Sequence, residues 1–192
     1  MTMATLRMPE SWVLLKNEQR ARFLREIEIE DEPALLAVAQ SKEHDHAFAL
    51  LRHQKSGYVV RPEETPIHPQ LIRKQTEADL AILNSESALS EAERVRWQKF
   101  YLEPVYQAQT RTVEYGITLL FGNEAAVNLY RMLLVRDGAL VLTLVGKPSD
   151  HLSLADWAIE PKDEMRYERF DPAHDKKSEG TLDNLILMNR FI

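Results

Sequence analysis

The chain contains no cysteine. Disulfides, thiolate metal sites and cysteine nucleophiles are therefore excluded, and the composition suits a reducing compartment. Long hydrophobic runs are also missing. None approaches the ~18 residues that would suggest a membrane span. The N-terminal MTMATLRMPESWVLLK carries an arginine but too short an apolar run for a signal peptide. Cytoplasmic residence and no membrane partner are the expectation. Positive charge is in deficit as well: 24 Lys and Arg stand against 30 Asp and Glu, a net charge of −6. The broad basic footprint of a duplex-DNA binder is thus absent. Basic residues gather only locally, at Arg20, Arg22 and Arg25 and at Arg94, Arg96 and Lys99.

Catalytic signatures are equally scarce. There is no Gly-x-Ser-x-Gly elbow and no dinucleotide fingerprint. Gly146-Lys147-Pro148-Ser149 resembles the end of a phosphate loop only superficially. It lacks the upstream glycine, and the proline separates lysine from serine. No internal repeat or low-complexity segment is present.

What the chain does have is an apolar fraction of 44% and a length of 192 residues, enough for a sizeable core. One domain over residues 1–192 is the expectation, with a subdomain break at residues 61–69, where RPEETPIHP carries three prolines. The densest β-branched and aromatic run covers residues 109–146, and it reads as an antiparallel meander. Asp137-Gly138 between two apolar runs is the strongest turn signal, and it suits a type I′ loop, which needs positive φ at both central residues. Gly122-Asn123 is a second turn. Leu140 to Val145 is apolar on both sides apart from Thr143, so both faces of that strand should be covered.

Helices are expected around this meander. Asn17 can cap one running to Ile27. Residues 33–53 allow one helix or two strands, Leu35 to Ala39 and Ala47 to Leu51, around a polar loop; the helix is favoured. A helix over Gln70 to Leu83 would bury Leu71, Ala78 and Ile82. Ser90 and Glu93 have capping-box spacing, and a helix to Leu102 would gather Trp97, Phe100 and Tyr101. Ser11 to Leu15 can start a helix or form a strand, residues 1–8 read as a tail, Arg166 to Phe170 as a short strand and Leu182 to Ile192 as a terminal helix. The fold class is α+β: a β-meander packed against helices from the N-terminal half.

Histidine is the obvious chemical resource, with six in the chain. Glu43 and His46 have Glu-x-x-His spacing, but a di-metal bundle needs two such motifs. His44 and His46, two apart, would share a metal only from a strand or loop. They are the metal candidates, set against solvated or capping roles, and no metal or other cofactor is expected. Ser149-Asp150-His151 holds the residue types of a hydrolase triad, yet sequence neighbours seldom converge. Asp150 and His151 are the catalytic candidates, set against a simple Asx or serine turn. The basic and aromatic set at residues 94–101 could stack on single-stranded nucleic acid, but helical core packing explains it better.

Two functions from different classes follow. The first is a non-catalytic cytoplasmic protein-binding module, such as an inhibitor, an immunity-type protein or a chaperone-like partner. It calls for a protein partner, with self-association an alternative and nucleic acid not expected. The second is a small hydrolase or metal-dependent enzyme using histidines with nearby carboxylates.

Overall fold

A computed structural model of the chain describes residues 3–87, 90, 93–178 and 180–188. Its centre is the meander. Strands β6 (Thr112–Phe121), β7 (Glu124–Val135) and β8 (Gly138–Gly146) pair in sequence order, all antiparallel. Two hairpins join them. At the first, Gly122 takes φ +61, and a type II′ turn reserves its first central position for glycine in such a conformation. The second departs from expectation. Val135 pairs with Gly138, so the turn residues are Arg136 and Asp137, and neither has positive φ. The loop is therefore not type I′. Asp137 points its carboxylate at the buried His53 (2.9 Å), and Gly138 takes φ +152 where the backbone passes against Gln54.

Residues 33–53 form strands. β3 (Leu35–Ser41) and β4 (Phe48–Gln54) pair antiparallel, and β4 docks along β8 from Phe48↔Val145 to Gln54↔Ala139. The favoured helix is overturned. Alanine and leucine favour a helix locally, but the apolar β8 needed a neighbour with both faces buried, and that pairing overrides the local preference. Ser41 closes the polar loop by accepting the Glu43 and His44 N–H groups.

The helix expected after Ser90 is also overturned. Ser90 and Glu93 do bond to each other, but they close a turn before β5 (Val95–Gln107). The misreading has a physical cause. Trp97 and Phe100 are three apart, a helical interval that would put them on opposite faces of a regular strand. Register irregularities along β5 correct this, so Trp97 pairs with Leu119 and Phe100 with Ile117. Both rings then meet the core, edge to face at 4.9 Å. Bulges thus imitate helical spacing.

The main sheet has seven strands in the order β2-β3-β4-β8-β7-β6-β5, with β2 at Trp12–Leu14. Residues 4–7 are not tail but strand β1 (Ala4–Arg7), paired with β9 (Ala158–Pro161) in a separate ribbon. Arg166 to Phe170 is not a strand; it makes a bridge to Val135 and a 3₁₀ turn.

One face of the sheet is covered by three helices. α1 (Asn17–Glu26) packs Phe23 and Leu24 on Val38 and Leu50. Its cap position is Lys16, and Asn17 makes no capping bond. α2 (Pro69–Glu86) and α3 (Leu182–Met188) cover β5 to β8. The helices therefore come from both ends of the chain. α2 buries Ile72, Thr76 and Leu80, while Leu71 and Ile82 are exposed. Thr76 can join the inner stripe because its hydroxyl donates to the Ile72 carbonyl (2.8 Å), which removes the penalty of burying it. The connector at residues 61–69 buries Pro62, packs Ile67 on the core and ends at His68, whose N–H and ring both bond to the buried Asp183 of α3.

The other face is covered by the β1–β9 ribbon and the segment after β8. Trp12 and Trp157 meet there edge to face at 5.0 Å.

Candidate functional site

β4 lies beside β8, so the loop before β4 meets the turn after β8. Here three of the four histidine and aspartate candidates come together. The turn Pro148–Asp150 folds the Asp150 carboxylate back onto the Lys147 N–H (2.7 Å). His46 Nε2 donates to the same oxygen at 2.8 Å. His44 Nδ1 lies 3.6 Å from the other oxygen. The Asp150 side chain is 3% exposed, while the imidazoles are 38% and 45% exposed. Gly146 makes the room: a Cβ there would stand 2.7 Å from Asp150 Oδ2.

Burial pushes the Asp150 carboxyl up. The Lys147 N–H, the His46 hydrogen bond and the two imidazoles outweigh that and hold it below the usual carboxylate range. A depressed folded-state value means stability that is fully present above the unfolded value and is lost as pH falls through the folded one. Asp150→Ala removes the acceptor shared by the Lys147 N–H and the His46 imidazole, both of them on exposed residues that water can reach. It is expected to cost about 0.5–1.5 kcal/mol near neutral pH, and the difference from wild type should vanish in strong acid. Urea unfolding across pH measures this, and a pH-independent difference would refute the electrostatic account.

His151 does not join the cluster. It is exposed and takes φ +49, and no bond among the described residues ties it to Asp150. Ser149 Oγ is 3.5 Å from Asp150 Oδ1. Serine and aspartate thus form a turn, with no serine–histidine contact. Among the described residues, no group of three or more histidine or acidic side chains is arranged to hold a metal ion. The cluster can fix a loop, and it leaves two imidazole edges facing solvent.

A second surface arises because β5 is a strand where the sequence predicts a helix. β5 is one of the sheet's two edge strands, with β2 at the other end. Its core side carries Trp97, Phe100 and Tyr106. Tyr101, Leu102 and Val105 are 43%, 39% and 51% exposed. Outer strands invite pairing with other chains. Here the register irregularities and Pro104 interrupt the ladder, so the side chains, more than a bare backbone edge, define this surface. The signal available in the sequence was Pro104 amid aromatic and β-branched residues, the mark of an edge strand.

Structure and site define a class: an α+β protein with a seven-stranded antiparallel sheet, helices on one face, and an outer strand that displays apolar side chains. Within that class, the chain belongs to the family described as "Protein of unknown function (DUF2167)", whose model matches residues 1–189. No curated protein matches it. Among solved structures it is similar to the solution structure of cyanobacterial PsbP (CyanoP) from Synechocystis sp. PCC 6803. The two are 9% identical, over 78% of this chain and 83% of that one, with a TM-score of 0.42. Among the described residues, no helix is long and apolar enough to cross a membrane.

Proposed function

We propose that the chain is a non-catalytic protein-binding module that recognises its partner through β5. The observation that carries this reading is the group Tyr101, Leu102 and Val105, apolar and exposed on the edge strand β5. Tyrosine is enriched at interface hot spots, and exposed apolar groups next to one another mark interaction surfaces. Charged neighbours Lys99 and Glu103 supply a polar rim. Cytoplasmic residence goes with this reading, supported by the cysteine-free composition.

A photo-crosslinking residue at position 101 tests it in cells, with position 18 on α1 as control. One discrete protein adduct is expected from position 101 and none from position 18. Crosslinking that is absent, or equal at the two positions, removes the proposal. An adduct at twice the chain's own mass would identify a second copy as the partner.

A second reading rests on Asp150 between His44 and His46: a small hydrolase or metal-dependent enzyme. Its support is the pairing of a buried carboxylate with two solvent-facing imidazoles. Stoichiometric metal in purified protein, lost on replacing both histidines by alanine, would put it first.

A further inference from the structure

A cavity of about 530 Å³ opens between the end of β4, the loop before α3 and α3 itself. Its polar wall is Lys55, Ser56, Lys176, Ser178 and Asn184. Two segments far apart in sequence are locked together to make it. Tyr58 N–H donates to the Lys176 carbonyl (2.9 Å), and Ser178 N–H donates to the Tyr58 carbonyl (2.8 Å). Gly57 permits the approach: it takes φ +85, and a Cβ there would lie 2.8 Å from Ser178 N. Gln54 pins α3 alongside by donating to the Leu185 carbonyl (2.9 Å).

Three features mark this cavity as a ligand site. Both lysines are exposed, and among the described residues neither has a carboxylate at ion-pair distance. The nearby acids Asp137 and Asp175 are engaged by His53 and Arg136. Ser56 Oγ is shielded from solvent and has no hydrogen-bond partner. A buried hydroxyl without a partner is costly and rare. Ser178 Oγ accepts the Gly180 N–H (3.2 Å), which leaves its own proton to donate. Lys55, Lys176, Ser56, Ser178 and Asn184 line the same space; ammonium, hydroxyl and amide donors suit a tetrahedral dianion, and lysine serves phosphate as a mobile point charge. Leu185 and Met188 line the remaining wall and suit a short apolar body. The volume lies within the ~300–1,000 Å³ of small-molecule sites.

We infer that this cavity binds a small phosphate monoester with an apolar substituent. The phosphate lies between Lys55 and Lys176, taking hydrogen bonds from Ser56 and Ser178, and the substituent rests on Leu185 and Met188. The site is separate from the β5 surface and stands or falls without it.

The test titrates the full chain with inorganic phosphate and with phenyl phosphate at constant ionic strength, against chloride, following the amide signals of Ser56, Ser178 and Gly180. Saturable shifts are expected with both, tighter by severalfold for phenyl phosphate. Replacing Lys55 and Lys176 together by alanine should weaken binding at least tenfold without lowering the melting temperature. Ser56→Ala should weaken binding severalfold while the unliganded protein melts no lower. Shifts that are not saturable, that chloride reproduces, or that survive the double lysine variant overturn the inference. Binding to phosphatidic-acid vesicles without binding to either soluble phosphate overturns it in favour of a lipid headgroup.

Discussion

Gly138→Ala is expected to lose about 4 kcal/mol or more of stability, the upper tail of single substitutions. The strand geometry explains why. A Cβ at position 138 would stand 2.0 Å from the Gln54 carbonyl oxygen and 2.9 Å from the Ser56 N. Both atoms belong to the backbone, so no rotamer change relieves the clash. Relief requires β4 to separate from β8 where Gln54 faces Ala139, and the bond from Gly57 N–H to the Asp137 carbonyl (3.0 Å) lies in the same corner. The φ of +152 adds a second penalty for an L side chain. Whole domains hold only about 5–15 kcal/mol, so much of the protein would unfold at physiological temperature. Gly122→Ala is the internal control. It also has positive φ in a hairpin turn, and about 1 kcal/mol is expected there from the backbone conformation alone. Urea midpoints with unchanged slope decide the matter. Equal losses at the two glycines would show that backbone conformation, not the approach of β4, governs position 138.

That same corner shows what the sequence could and could not reveal. Asp137-Gly138 marked the hairpin one residue late: the turn is Arg136-Asp137, and Gly138 already belongs to β8, where only glycine fits so close to another backbone. The turn's type could not be read, because the positions of His53 and Gln54, 84 residues away in the case of the His53–Asp137 bond, set the local geometry. The three meander strands were legible from their apolar density. So was the need for cover on both faces of β8, which the two packed faces provide while β4 pairs along its edge.

Residues 33–53 and 95–107 were not legible for opposite reasons. The first stretch is rich in alanine and leucine, which favour a helix locally, and pairing with β8 overrides that preference. The second carries a helical interval, Trp97 to Phe100, produced by strand bulges that no local rule detects. At the histidine–aspartate cluster the sequence singled out Asp150, His44 and His46 by residue type, but not their meeting, since only the β4–β8 pairing brings residue 46 to residue 150. His151 was suggested by adjacency, and adjacency placed it in an outward turn instead. The cavity beside α3 had no signature at all. It depends on Gly57 lying against residues 176–178, a contact between distant segments.

The second large effect is expected at Arg131. It faces Glu114 across β6 and β7, and its guanidinium donates to Glu114 Oε1 at 2.6 Å and to the Trp157 carbonyl at 2.5 Å. The two side chains are only 18% and 17% exposed, so water replaces a lost partner poorly. Arg131→Ala strands a carboxylate and a carbonyl together, and about 3 kcal/mol should be lost, the lower end for a broken buried pair. Removing both charges tells a different story. Glu114→Leu with Arg131→Met leaves the Trp157 carbonyl without its donor and the exposed Gln107 amide free to turn to water, so the double variant should recover most of the loss, finishing within about 1–2 kcal/mol of wild type. A coupling energy of about 1–3 kcal/mol is therefore expected from the cycle. Because Arg131 also holds the backbone that carries Trp157, the single variant should disturb the Trp12–Trp157 edge-to-face pair and change the near-ultraviolet circular dichroism before the main unfolding transition. If the single and double variants lose the same stability, the bond to the Trp157 carbonyl, not the ion pair, fastens the β1–β9 side of the molecule to the sheet.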